Sequence, residues 1–156
     1  MSDSLQSGER TAAPAAPMAR LHVLILDEHS PSRRICADYC DLFGHSSVGV
    51  VNGEEALAAL KRERFDAVVM NVRLASARDF ETLRAIRALP DRPSHAPVVG
   101  LLASDRGDEA RRWLAAGMAA VAPKPITAAR LFAALAAAAE PPATQPDEAR
   151  SWAPRR

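Results

Sequence analysis

The sequence predicts a doubly wound α/β domain, and three observations predict it. Short apolar runs alternate with amphipathic stretches of helical length, five times over. The runs at 21–26, 66–71 and 97–102 are apolar on both faces, as parallel strands covered by helices should be. Cap and turn residues fall at the joints between the runs, where each change of element needs them.

The elements follow in order. "LHVLIL" (21–26) is an apolar run of strand length. "SPSRRICADYCDLFG" is a helix: Ser30 can cap it, Pro31 suits its first turn, and Gly44 suits its end. Its stripe of Ile35, Tyr39, Leu42 and Phe43 is read as core packing at helical spacing. "SSVGVV" (46–51) is a short strand, and "NGEEALAALKRE" a helix whose Asn52 and Glu55 have capping-box spacing. "FDAVVMN" is the third strand, and "RDFETLRAIRAL" a helix ended by Pro90. "APVVGLLA" (96–103) is the fourth strand, and "DEARRWLAAG" a helix closed by Gly117. "AAVAP" is the fifth strand, and "TAARLFAALAAAA" the last helix.

This gives one domain over 21–139. Residues 1–20 and 140–156 are rich in Ser, Ala and Pro without periodicity and read as a disordered N-terminal arm and a disordered C-terminal tail. Hydrophobic residues are 48% and charged residues 25% of the chain, ordinary for a soluble globular protein. A net charge of +1 gives no reason to expect DNA as a partner. No apolar run approaches the roughly 20 residues that span a bilayer, and the N-terminus lacks a signal-type stretch, so a cytoplasmic location without membrane contact is expected. Cys36 and Cys40 lie one helical turn apart, poor geometry for a disulfide, with only His45 near as a further ligand. They read as buried thiols.

In doubly wound sheets the reactive groups sit at the carboxyl ends of the strands. Here those ends hold Asp27 and Glu28, then Asn71, then Leu102, Ala103 and Ser104, then Lys124 before Pro125. Two neighbouring carboxylates repel unless a cation sits between them. Mg²⁺ and the Lys124 ammonium are the candidates, and an ion pair to Lys124 that keeps the rim neutral is preferred.

The pieces "VLILDEHSPSRRI", "GHSSVGVVNGEEALAALKRERFDAVVMNVRL", "FETLRAIRALP", "APVVGLLAS" and "LAAGMAAVAPKPI", in this order, resemble the receiver domain of bacterial two-component response regulators. The likeness is to receivers of hybrid sensor histidine kinases, on the chemotaxis-regulator fold. It implies a flavodoxin-like five-stranded parallel sheet of order 2-1-3-4-5 with five helices, and a cis bond before Pro125. It also implies an acidic Mg²⁺ pair at Asp27 and Glu28 and a bridging lysine at Lys124. The family's phosphoacceptor aspartate falls on Asn71, its Thr or Ser on Leu102 and its switch aromatic on Val121. In the loop after strand three, Leu74, Ala75, Arg78 and Asp79 replace the usual Met-Pro and Asp-Gly.

Three of the five functional positions are therefore changed together. A carboxamide is a poor nucleophile and forms no acyl phosphate. It also removes one charged metal ligand, so at most weak Mg²⁺ at Asp27 and Glu28 is expected. The expectation is a degenerate, stand-alone pseudo-receiver, not an enzyme, that binds a histidine kinase, a histidine phosphotransfer protein or another receiver. Docking would use the first helix and strand-end rim, or the helix 4–strand 5–helix 5 face, which can also form a homodimer. Asn71 either mimics one receiver state or is a tolerated polar residue.

Other readings stay open. Trp113 in the fourth helix is either a partner contact or core. His29 reads as a solvated loop residue. The tail residues Arg150, Trp152, Arg155 and Arg156 look loosely like an arginine-rich tail for cyclic di-GMP, diluted by Asp147 and Glu148. A substitute phosphoacceptor (Asp79 or Ser104) ranks lower, because neither sits at the end of the central strand. A flavin or dinucleotide binder ranks last, for want of a Gly-rich loop after strand one.

Overall fold

A computed structural model describes residues 19–73, 76–90, 96–103 and 107–139. Among the described residues strands and helices alternate: β1 (His22–Leu26), α1 (Ser30–Phe43), β2 (Ser46–Val50), α2 (Gly53–Arg62), β3 (Ala67–Val72), α3 (Ala77–Arg87), β4 (Val98–Leu102), α4 (Gly107–Ala116), β5 (Ala120–Pro123) and α5 (Ala128–Ala139). The five strands pair in parallel in the order β2-β1-β3-β4-β5. Each expected element forms, with ends that differ from the sequence reading by at most two residues, within the usual latitude of helix and strand ends.

Alternation along the strands divides the interior in two. Leu24, Leu26, Val68, Met70, Val98 and Leu102 face α2, α3 and α4, where Ala56, Leu60, Leu83, Ile86 and Trp113 meet them. Val23, Ile25, Val69, Val99 and Leu101 face α1 and α5, through Cys36, Cys40, Leu131 and Leu135. Central strands are thus apolar on both sides because both sides are covered. Each fully buried Val, Leu or Ile contributes about 1.5–3 kcal/mol relative to exposure.

The helix ends show how local chemistry fixes the frame. In α2, Asn52 Oδ1 accepts the Glu55 N–H at 2.8 Å, as the capping-box spacing predicts, and Glu55 Oε1 reaches back to the Val51 N–H at 3.0 Å. Gly44 closes α1 at φ +87°, a left-handed conformation that glycine adopts without strain.

Two expectations for α1 need correction, and the open reading of Trp113 in α4 is decided. The cap of α1 is His29, not Ser30: its Nδ1 accepts the Ser32 N–H at 3.3 Å. His29 is exposed, as expected, but as a cap and not as a loose loop residue. The buried stripe is Cys36 and Cys40, with Tyr39 and Phe43 half-buried, while Ile35 and Leu42 are 45% and 71% exposed. Small thiols fit where the helix approaches the sheet, and the larger aliphatics are turned outward. Trp113 is fully buried, stacked on Phe80 at 3.9 Å, with its Nε1 donating to buried Glu109 Oε2 at 2.8 Å. It belongs to the core and not to a docking face.

Candidate functional site

The strand ends form the rim. The Asp27 N–H donates to Val50 O at 3.1 Å, which extends the β1–β2 ladder and buries Asp27. Its Oδ1 accepts the His29 N–H at 2.9 Å, an Asx-type turn that launches α1. Its carbonyl accepts Arg33 Nη1 at 2.8 Å. Glu28, next in the chain, is exposed.

Asn71 sits near the end of β3, opposite Leu101 of β4. Lys124 follows β5, its N–H donating to Leu102 O at 2.8 Å, and the Lys124–Pro125 bond is cis as the resemblance implies. Lys124 Nζ donates to Asn71 Oδ1 at 2.5 Å. This corrects the expected ion pair: the lysine bonds the amide on the central strand, and Glu28 of the acidic pair is answered elsewhere.

The answer is Arg73, which the sequence reading passed over. Arg73 Nη1 donates to Glu28 Oε2 at 3.2 Å. Its Nε lies 3.6 Å from Asp79 Oδ2, and its backbone N–H donates to the same oxygen at 2.8 Å. Asp79 is buried in the first turn of α3, where its N–H donates to the capping Ser76 Oγ at 3.1 Å. Asp79 therefore does reach the rim, although it stands off the central strand. Asp27, Glu28, Asn71, Arg73, Arg78 and Asp79 line a common cleft of about 50 Å³, room for a few waters. The only sequence signal was an arginine two places after Asn71, and its partners lie 45 residues back and six ahead.

The remaining positions named from the sequence lie against the core. Leu102 is buried in the core facing α2–α4 and offers no hydroxyl. Val121 is half-buried against the same cluster. Met118 crosses β4 at Gly100, where a Cβ would run into its sulfur. Cys36 and Cys40 are free and buried. Burial, with the Asp27 charge adding and Lys124 partly offsetting, pushes the Cys36 thiol up to about 11. Burial pushes Cys40 to about 12, so neither is a thiolate at neutral pH. Ser104, Leu74 and Ala75 lie outside the described residues, as do residues 1–18 of the expected arm and the tail with Arg150, Trp152, Arg155 and Arg156.

The rim does not fit the divalent metal that the resemblance implies. Mg²⁺ demands oxygen ligands in near-ideal octahedral geometry and favours carboxylates. Here the central oxygen is an amide already holding an ammonium, and Glu28 already holds a guanidinium. Among the described residues no three His, Cys, Asp or Glu side chains are grouped to hold a metal.

Comparison with known proteins follows the same lines. The family model of the response regulator receiver domain matches residues 23–136. The virulence sensor protein BvgS of Bordetella pertussis is 33% identical over 146 residues, covering 88% of this chain and 12% of its own length. The chain thus spans about an eighth of that sensor. The receiver domain of the Pseudomonas aeruginosa PAO1 sensor histidine kinase PA1611, solved with magnesium coordinated in its active site cleft, superposes with a TM-score of 0.65 at 26% identity. That match covers 78% of this chain and 98% of the other. The co-crystal structure of the Saccharomyces cerevisiae phosphotransfer protein Ypd1 with the Ssk1 receiver domain matches with a TM-score of 0.64 at 21% identity. It covers 72% of this chain and 84% of the other, a likeness of fold alone. A sheet of order 2-1-3-4-5, an acidic pair and a lysine on one rim, and a family match over most of the domain agree: this chain belongs to the response regulator receiver domain family of two-component signalling.

Proposed function

We propose that this receiver domain signals by docking a partner protein and not by accepting a phosphoryl group. The observation that carries the reading is the Lys124–Asn71 bond: a carboxamide stands at the end of β3 and engages the rim lysine directly. An amide oxygen so engaged is no nucleophile, and its nitrogen offers no lone pair for attack. The buried Leu102 and the half-buried Val121 supply neither a hydroxyl to bind a phosphoryl oxygen nor a ring to move. The nearby Asp79 is no substitute acceptor, since it is buried and its Oδ2 is taken by the Arg73 N–H.

On this reading the domain is not an enzyme and needs no metal. Its partner is a histidine kinase, a phosphotransfer protein or another receiver, the kind of pairing seen in the Ypd1–Ssk1 complex. No helix among the described residues is long and apolar enough to cross a membrane.

The test is intact-mass measurement after incubation with acetyl phosphate, or with a phosphorylated phosphotransfer domain, in Mg²⁺. The expected result is an unchanged mass for the wild type. A base-labile phosphoryl adduct, at Asn71's neighbours or anywhere else on the rim, overturns the proposal.

A further inference from the structure

We infer that Arg73 is the built-in cation of the acidic cleft, and that it closes the cleft to divalent metal independently of Asn71. This deepens the docking reading and rests on it, because a cleft sealed against metal has no use for phosphoryl chemistry.

Three features carry the inference. First, among the described residues the Glu28 carboxylate is held by Arg73 Nη1, at 3.2 Å. Second, Arg73 is tethered and not merely adjacent. A single buried oxygen, Asp79 Oδ2, accepts its backbone N–H at 2.8 Å and lies 3.6 Å from its Nε. An arginine held only by an exposed partner would give way to a metal, since such pairs contribute little. The second, buried partner fixes where the side chain leaves the backbone and keeps the guanidinium over Glu28. Third, the charges balance without a metal. Asp27, Glu28 and Asp79 face Arg73, Arg78 and Lys124 around the Asn71 amide, so a divalent ion would enter a site with no net attraction for it.

The inference separates two lesions that the sequence shows as one. If the lost carboxylate alone kept metal out, Asn71→Asp would restore binding. If Arg73 holds the cleft, Asn71→Asp alone leaves it closed, and removal of the guanidinium opens it.

The experiment titrates Mg²⁺ into the full chain by calorimetry, with amide shifts of Asp27 and Glu28 followed by NMR. The proteins are wild type, Asn71→Asp, Asn71→Asp with Arg73→Ala, and Asn71→Asp with Arg73→Gln. The expected result is binding about tenfold or more tighter in the double variants than in Asn71→Asp, the size of effect one unit charge exerts a few ångströms away in a solvent-screened cleft. Arg73→Gln keeps the length and polarity of the side chain and carries the test should Arg73→Ala fold poorly. Equal Mg²⁺ affinity in Asn71→Asp and both double variants overturns the assignment. That outcome leaves the docking reading standing, whereas a phosphoryl adduct on the wild type removes the docking reading without touching the metal titration.

Discussion

At Glu109 and Trp113 a carboxylate and an indole share the buried side of α4, one turn apart. The indole fills the space against Phe80, and its N–H is the partner that makes Glu109 tolerable in the interior. Trp113→Phe keeps an aromatic ring but leaves a buried acceptor without its donor. The expected loss is about 2 kcal/mol of unfolding free energy, combining a small cavity with an unpaired polar group, read from urea melts. Asn would be no rescue, and a loss below about 0.5 kcal/mol would mean that water reaches Glu109. The pair shows how far single residues can be read from sequence. A lone Trp on a surface-helix pattern is ambiguous, and the glutamate four places earlier, which reads as a solvated residue in sequence, becomes its buried partner only in the fold. Arg73 was harder. Its role depends on Glu28 and Asp79, which only the tertiary fold brings to it.

Elements were legible where their chemistry is local. Asn52 and Glu55 announced the start of α2, and Gly44 the end of α1, because caps act within a turn of the backbone they satisfy. The face of α1 was misjudged for the opposite reason. Burial is set by the distance between helix and sheet, and Cys36 and Cys40 fit a close approach that Ile35 and Leu42 do not. The joint between α1 and β2 carries a consequence for pH. His45 is buried there, its Nδ1 accepting the Leu21 N–H at 3.1 Å and its Nε2 without a partner in the described structure. Burial, with Arg20 adding, lowers its pKa from the ordinary 6.5. The unfolded chain therefore binds the proton more readily than the fold does. Stability is unaffected well above pH 6.5 and falls as pH drops from 6.5 toward the lowered value, by up to about 1.4 kcal/mol per pH unit. His45→Asn offers Leu21 an acceptor in a similar place but cannot titrate. Urea melts at pH 7.5, 6 and 5 should show a shallower acid decline in that variant than in wild type; parallel declines would assign the acid limb to other groups.

For the whole molecule, the question is whether information leaves through the cleft or over the surface. In a phosphorylated receiver the two are joined, because covalent charge at the rim resets distant faces. On the docking proposal, Asn71, Leu102 and Val121 break that joint at the nucleophile, at the hydroxyl and at the moving ring, and the surface is then competent as folded. The exposed apolar side chains among the described residues bear on where. Ile35 and Leu42 lie two turns apart on α1; Phe132 of α5 is also exposed while packing edge-on to Phe43 at 5.1 Å, and Val51 and Leu114 are exposed elsewhere. Turned away from a core that Cys36 and Cys40 already fill, Ile35 and Leu42 contribute less to folding than the buried positions of α1. Replacing Ile35 and Leu42 together by Asp should leave the melting temperature within a few degrees of wild type, since surface changes away from special features stay within about 0.5 kcal/mol. The same change should abolish retention of a purified cognate phosphotransfer domain or kinase on the immobilised chain, because charge is then placed where an apolar partner face must dry. Asn71→Asp, assayed beside it, should retain that partner as wild type does. The reverse pattern, binding that survives on α1 but changes at Asn71, would return control to the cleft and make the amide a signalling state in its own right. The two variants, read against wild type, therefore decide between surface and cleft by binding alone.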